Sequence, residues 1–352
     1  MTLDEIRRKI NTIDFELLKL LNTRMEYALR TTTLKQGITD SKREDQVLDY
    51  IEMHSQGLIK PEFCRNLFQQ IIGESKRLQG DHLQLMGFQG EHGSFSEVAA
   101  MTHNPGLFCI TCNSVGEIFR GVENEFFDYG IVPVESSLGG TVMEVNEFLA
   151  DPDLEMRIVG EIRFPISYCL LTLPDTDPED LRVVYSSSTT LSHCSRYIRA
   201  NRMEARPFYG TAAAAKMLQK DRPEASAAIA SSFCADYYNL KVVGCEIEDN
   251  PGNMTRFLII SRKVKLNSGN KCSVVFTTEH RAGALVEILG DFAEAGMNLT
   301  RIESMPKRND PGNYKFFLDF VGSTEDPAVK DILARTEQKT EMFKLLGCYN
   351  SA

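Results

Sequence analysis

The sequence predicts three folded regions: an all-α helical region over residues 1–82, a two-lobed α/β region over 83–263, and an α+β region of ferredoxin-like order over 271–352. Three observations predict it. From residue 3 to residue 20 the apolar residues keep a three–four spacing, and no proline occurs before Pro61. From 84 to 262 short apolar runs alternate with helical stretches, which implies a mainly parallel sheet. From 271 onward the pattern reads β-α-β-β-α-β.

Composition narrows the function classes. A length of 352 residues suits two or three domains. A net charge of −10 argues against a nucleic-acid partner, while local Arg and Lys clusters leave small anionic substrates open. No uncharged apolar stretch of about 18 residues exists, so no membrane span is expected. Met1 to Ile10 is charged and helical in pattern, unlike a signal peptide, and a cytoplasmic protein is expected. Nine cysteines, an odd number scattered from Cys64 to Cys348, predict reduced thiols. Cys109 and Cys112 form a lone CxxC. It reads as half-buried side chains near a strand, because a zinc site needs about four ligands. Neither a metal nor a cofactor is expected.

In the helical region Leu3, Ile6, Ile10, Ile13, Leu17 and Leu20 form a helix seam. Gly37 is expected to end the first helix and Asp40 with Ser41 to cap a second. Pro61 opens a third, running through Phe68, Ile71 and Ile72 to Gly80. Continued, the seam places Arg24 where an apolar residue belongs, and an anion should meet it, because a buried unpaired guanidinium costs several kcal/mol. Lys35 follows about 20° from the same face, while Arg7 lies roughly 25 Å back along the axis. One small ligand cannot touch both Arg7 and Arg24, so Arg7 serves nothing or serves a second site made with a partner chain. Ser75 and Gln79 share a face of the third helix, and Asp40, Arg43 and Glu44 share one of the second. Taken singly, these residues read equally as ordinary helix decoration.

As a set they resemble the AroQ-type chorismate mutase domain over nearly all of residues 3–80. The resemblance implies that Arg7, supplied in trans, and Arg24 grip two substrate carboxylates. It implies that Lys35 and Gln79 donate to the breaking ether oxygen and Glu44 takes the ring hydroxyl. Asp40, Arg43 and Ser75 complete the shell. Such a rearrangement needs positioning and charge stabilisation, with no nucleophile.

The middle region opens with Gly90-Glu91-His92-Gly93-Ser94-Phe95-Ser96, which reads either as a plain strand-to-helix turn or as a helix start facing an anion. It closes with Asn253-Met254-Thr255-Arg256-Phe257. With Val132 to Leu138, Tyr185-Ser186 and Thr211-Ala212 between them, these segments resemble prephenate dehydratase over about 84–262. The resemblance implies a periplasmic-binding-protein-like pair of lobes. It makes Thr255 the hydroxyl that assists the departing oxygen and Arg256 and Phe257 its neighbours at the substrate. It adds Ser94, Glu135, Ser136, Ser137, Ser186 and Thr211 as substrate contacts. The chain departs from the family at Ser136 (Asn there), Gly139 (Glu) and Ser187-Ser188-Thr189 (His-Pro-Gln). Asn to Ser removes an amide that both donates and accepts.

In the last region Gly283-Ala284-Leu285 and Glu303-Ser304-Met305-Pro306 resemble the two effector motifs of the ACT domain, with Met305 where the family has Arg. The resemblance implies phenylalanine feedback at a dimer interface. Together the three resemblances imply a homodimer or higher oligomer acting on chorismate and prephenate, with L-phenylalanine as effector. The alternatives are an active mutase beside an arogenate dehydratase or prephenate decarboxylase, and a non-catalytic amino-acid sensor.

Overall fold

The first unit, Met1–Gln84, is built of three helices. The computed structural model describes residues 2–32, 37, 39–55, 57–263, 269–307, 310 and 312–352. Helix α1 spans Leu3–Arg30, and Thr2 and Glu5 close its N-terminus with a reciprocal capping box. It ends at Arg30 rather than at Gly37, because the β-branched Thr31 and Thr32 favour helix poorly and Thr31 turns its hydroxyl back onto the Ala28 carbonyl. The seam residues Leu3 to Leu20 lie between 38% and 66% exposed within this chain. Helix α2 spans Ser41–His54, with Asp40 accepting from the Arg43 amide as its cap. Helix α3 spans Pro61–Gly80, and Pro61 stands at its start, where the missing N–H costs nothing.

The second unit, Leu85–Ala352, holds two lobes and a terminal domain. The first lobe contains β1 (Leu85–Gln89), α4 (Phe95–His103), β2 (Phe108–Cys112), α5 (Val115–Glu123), β3 (Tyr129–Ser136), β4 (Gly140–Thr141), α6 (Met143–Leu149) and β5 (Arg157–Pro165). The second contains β6 (Cys169–Thr172), β7 (Val183–Ser186), α7 (Ser188–His193), α8 (Ser195–Ala200), β8 (Glu204–Pro207), α9 (Thr211–Asp221), β9 (Ser226–Ala230), α10 (Phe233–Tyr238) and β10 (Lys241–Cys245). Strand β11 (Met254–Ser261) then returns to the first lobe. In α5 the buried Val115, Ile118, Phe119 and Val122 repeat at helical spacing, so one face drives the helix onto the sheet.

The first sheet has the order β2-β1-β3-β11-β5 with β4 beside β3, and the second β10-β6-β9-β7-β8. Both are mixed, which corrects the mainly parallel expectation. β1 pairs parallel with β2 and β3, but β11 lies antiparallel to both β3 and β5 because the chain re-enters from the other lobe. Cys169 and Cys245 face each other in the antiparallel β6–β10 register and form a disulfide, so the expectation of reduced thiols fails for this pair. Cross-strand partners lie close enough for the bond, whatever their distance in sequence. Cys109 and Cys112 lie on β2, and burial pushes the Cys109 thiol up to about 12. Among the described residues no His/Cys/Asp/Glu group could hold a metal and no helix is long and apolar enough to cross a membrane.

The terminal domain keeps the ferredoxin-like order: β12 (Lys271–Thr277), α11 (Ala284–Glu294), β13 (Leu299–Pro306), β14 (Tyr314–Val321), α12 (Pro327–Gln338) and β15 (Met342–Tyr349). Its sheet runs β13-β14-β12-β15, all antiparallel, over a core that includes Val274, Phe276, Ile288, Phe292, Leu318, Phe320 and Ile332. β15 crosses β5 so closely that any side chain at Gly347 would collide with the Ile158 carbonyl.

Candidate functional site

In the first unit a cavity of about 330 Å³ is lined by residues of all three helices. Arg24, Asp40, Arg43, Glu44, Ser75 and Gln79, all expected at one site, converge on it. Arg24 donates at 2.6 Å to the Ser75 hydroxyl, which also donates to the Ile71 carbonyl. Burial pulls the Arg24 guanidinium below its ordinary pKa, the mark of a cation that an incoming anion would relieve. Gln79 is buried, and its amide donates to the Ala28 carbonyl at 2.6 Å and to the Thr31 hydroxyl at 3.1 Å. Asp40 caps α2, so its carboxylate holds the helix end beside the cavity.

One lining residue was missed by the sequence reading. The Lys76 ammonium lies 2.9 Å from both Glu44 oxygens. Its signal was its position beside Ser75 and three residues before Gln79. Lys35 lies outside the described residues. Arg7 is exposed, with its nearest acid Asp4 at 3.8 Å, and does not line this cavity.

In the second unit the glycine-rich turn leads into α4, where Ser94 caps the helix through the Glu97 amide. Buried Glu97 accepts from the Gly93 amide at 2.6 Å and pairs with His92 at 2.6 Å. Gly93 has φ +86°, and a Cβ there would collide with the Cys234 sulfur of the second lobe, so only glycine fits. Ser231 and Cys234 donate to the Gly93 carbonyl, and Tyr238 to that of His92. Glu91 reaches across to Lys216 at 2.7 Å. The turn is thereby the seam between the lobes.

The ends of β3 and β11 bring two of the remaining motifs together, Val132 to Leu138 and Asn253 to Phe257. Thr255 stands directly opposite Ser136, and Arg256 opposite Glu135. Ser136 and Ser137 both donate to the side-chain oxygen of buried Asn253, and the Met254 amide donates to Ser137. Asn253 was not among the expected site residues, although it opens the same motif as Thr255.

Three expected contacts, Arg256, Phe257 and Ser186, are placed differently. Arg256 is buried, with its guanidinium bound to Glu161 at 2.6 Å, Asp319 at 2.7 Å, Tyr349 at 3.0 Å and Glu135 at 3.4 Å. Strand alternation turns it to the face opposite Thr255, so it is committed to protein carboxylates instead of substrate. Phe257 is a core residue, packed with Met86, Phe88, Ile131 and Ile259. Ser186 is fully buried and donates to the Ile229 carbonyl. Ser94 caps α4, its hydroxyl oxygen accepting from the Glu97 amide. Thr211 begins α9 and is partly exposed.

In the terminal domain a cavity of about 340 Å³ is lined by Thr278 to Ala282, Leu285 and residues 312–314 and 316. Gly283, at φ +87°, starts α11, and Ala284 behind it is buried. Leu285 lines the cavity, but Glu303 and Ser304 do not. Glu303 instead accepts from Thr141 at 2.8 Å, and Ser304 is exposed. The expected effector residues are thus divided between two places within one chain: Leu285 lines the cavity, while Ser304, although paired with the lining residue Phe316, is exposed, and Glu303 turns to Thr141.

Comparisons with known proteins agree with this layout. Family models match for chorismate mutase type II over residues 6–80, prephenate dehydratase over 86–265 and the ACT domain over 273–338. The bifunctional chorismate mutase/prephenate dehydratase of Pseudomonas aeruginosa is 31% identical over 99% of this chain and 98% of its own length. The arogenate dehydratase/prephenate dehydratase 2 of Arabidopsis thaliana is 32% identical over 75% of this chain and 72% of its own. The crystal structure of prephenate dehydratase from Arthrobacter aurescens in complex with L-Phe superposes with a TM-score of 0.71 at 30% identity, covering 76% of this chain and 90% of that one.

Proposed function

The chain belongs to the family of bifunctional chorismate mutase/prephenate dehydratases, and from that premise we propose how its residues divide two reactions and their control. It is an isomerase and a lyase of phenylalanine biosynthesis: chorismate becomes prephenate, and prephenate becomes phenylpyruvate.

The mutase reaction belongs to the helical cavity. One carbon–oxygen bond breaks as one carbon–carbon bond forms within the same molecule, so the site must hold the compact conformer and meet charge on the ether oxygen. Arg24 grips a carboxylate bidentately, oriented by Ser75. Lys76 fixes Glu44 as an ionised acceptor for the ring hydroxyl. Lys35 donates to the ether oxygen, Gln79 joins it by turning the amide hydrogen now given to Thr31 toward the substrate, and Arg7 comes from a second copy of the chain. The exposed Leu3–Leu20 stripe supports that copy, since such an apolar run is costly in water. The protein is therefore read as a homodimer or higher oligomer, in the cytoplasm.

The dehydratase reaction belongs to the paired ends of β3 and β11. As the carboxylate leaves as carbon dioxide, its bonding electrons close the aromatic ring and the ring hydroxyl departs, protonated, as water. Thr255 donates to that oxygen. Ser136, in place of the family's Asn, works with Asn253 to order the substrate. Thr211 and Ser137 complete the polar wall. L-phenylalanine acts at the terminal domain through Gly283, Ala284 and Leu285, with Glu303 and Ser304 from the β13 edge, where a second copy joins them.

The observation that carries the reading is Arg24 of α1, half-buried in a cavity whose other cations and carboxylates come from α2 and its cap and from α3. The test is an assay of both half-reactions, with and without phenylalanine, following phenylpyruvate in alkali after prephenate is supplied. A chain that consumes chorismate but yields no phenylpyruvate would refute the dehydratase half. A second reading, arogenate as the middle site's substrate, is favoured by Ser136, and the same assay with arogenate decides it.

A further inference from the structure

We propose that the terminal domain forms the back wall of the dehydratase site: Asp319 and Tyr349 are positioning residues for Thr255, acting through Arg256. The proposal rests on the reading of Thr255 as the working hydroxyl.

Thr255 and Arg256 are consecutive on β11, so holding one fixes the other. The closest partners of Arg256 are buried groups. Its Nε meets Glu161 at 2.6 Å, and its Nη2 meets Asp319 at 2.7 Å and the Tyr349 hydroxyl at 3.0 Å. The far sides of these partners are tied in turn. Lys271 donates to both Glu161 oxygens, and Ser273 bonds Asp319 at 2.6 Å and Tyr349 at 2.7 Å. Two cations and two carboxylates, none more than 4% exposed, close into a charge-balanced cluster. Of these residues only Arg256 and Glu161 belong to the lobe. Lys271, Ser273, Asp319 and Tyr349 come from the terminal domain.

The strand across is held the same way. Glu135, opposite Arg256 and next to Ser136, lies 3.4 Å from Arg256 and 3.7 Å from Arg301 of β13. Arg301 also donates to Asn146 of α6 at 3.1 Å. The residues directly behind the Thr255–Ser136 pair are thus both gripped by the terminal sheet. A buried ionic cluster is a poor way to add stability, because desolvation offsets its attraction. A planar guanidinium in a rigid fork of acceptors is a good way to fix a strand. Small displacements matter here, since about 1 Å of misplacement costs about 10²-fold in rate.

The test uses the full chain with Asp319→Asn and Tyr349→Phe. The second removes one oxygen and leaves the charge balance untouched. Dehydratase kcat should fall about 10- to 100-fold in the first and about 3- to 10-fold in the second, with KM within about threefold and one cooperative unfolding transition retained. The proposal is overturned if both variants keep kcat within about twofold, or if kcat falls only in step with loss of that transition. A Thr255→Val variant separates the two layers. If it keeps full rate, the underlying reading fails. If it is inactive while Asp319→Asn and Tyr349→Phe work normally, only the present inference fails.

Discussion

Arg24 on α1 donates a 2.6 Å hydrogen bond to the Ser75 hydroxyl on α3, and this pair stands in the wall of the helical cavity proposed for the mutase reaction. Replacing Arg24 by Ala removes the guanidinium proposed to grip a substrate carboxylate. Mutase kcat/KM should fall by about 10²–10³, since charged hydrogen bonds contribute about 1.5–3 kcal/mol each. Dehydration of supplied prephenate should continue unchanged. Equal loss of both rates would count against separate sites.

Lys76→Met should cost less. It frees Glu44 from its ammonium partner without removing a substrate carboxylate contact, and a fall of about 10-fold in mutase kcat/KM is expected. Chorismate kinetics would check it; an unchanged rate would leave the pair a surface ornament.

Thr255→Val keeps the side-chain shape and removes the proton donor. Dehydratase turnover should drop about 10²–10⁴-fold, the usual reach of a positioned acid, while the mutase rate stays at that of the parent. Phenylpyruvate formation from prephenate measures the first, and chorismate loss the second.

Acid should loosen the terminal domain from the lobes. Burial opposes the Glu161 charge, yet Arg256 and Lys271 outweigh it and hold its carboxyl below its ordinary 4.5. A carboxyl lowered on folding stabilises above its unfolded pKa and loses that contribution as pH falls through the folded value. Calorimetry should therefore show a steady Tm from about pH 7 to about pH 5 and a decline below it. Glu161→Gln should lower Tm at neutral pH and flatten the acid slope.

Charging the α1 stripe with Ile10→Glu and Leu17→Glu should shift the sedimenting species toward monomer and reduce mutase activity with it. A fully active monomer would remove Arg7 from any site in trans.

Much of this was legible before any coordinates. Helical spacing gave α1 to α3, and Asp40 and Pro61 marked the starts of α2 and α3. The six terminal elements follow the β-α-β-β-α-β order read from residue 271 onward. The rest depended on contacts distant in sequence. The direction of β11 and the Cys169–Cys245 pairing are decided by how the chain returns between lobes. The motif around Thr255 was readable as a unit, but which of its members face the substrate was not. Arg256 and Phe257 turn inward because their partners, Asp319 in one case and the lobe core in the other, lie far along the chain. Asn253 was hidden by the same limit: its partners Ser136 and Ser137 lie on another strand.

The backbone crossing at Gly347 and Ile158, with the balanced cluster beside it, has a bearing on chimeras. A foreign sensor of identical topology, grafted after β11 without counterparts of Lys271, Asp319 and Tyr349, would leave the buried Arg256–Glu161 pair with polar atoms unmatched in a dry joint. The graft would fail through electrostatics rather than shape, so the tail is a fitted part and not an interchangeable module.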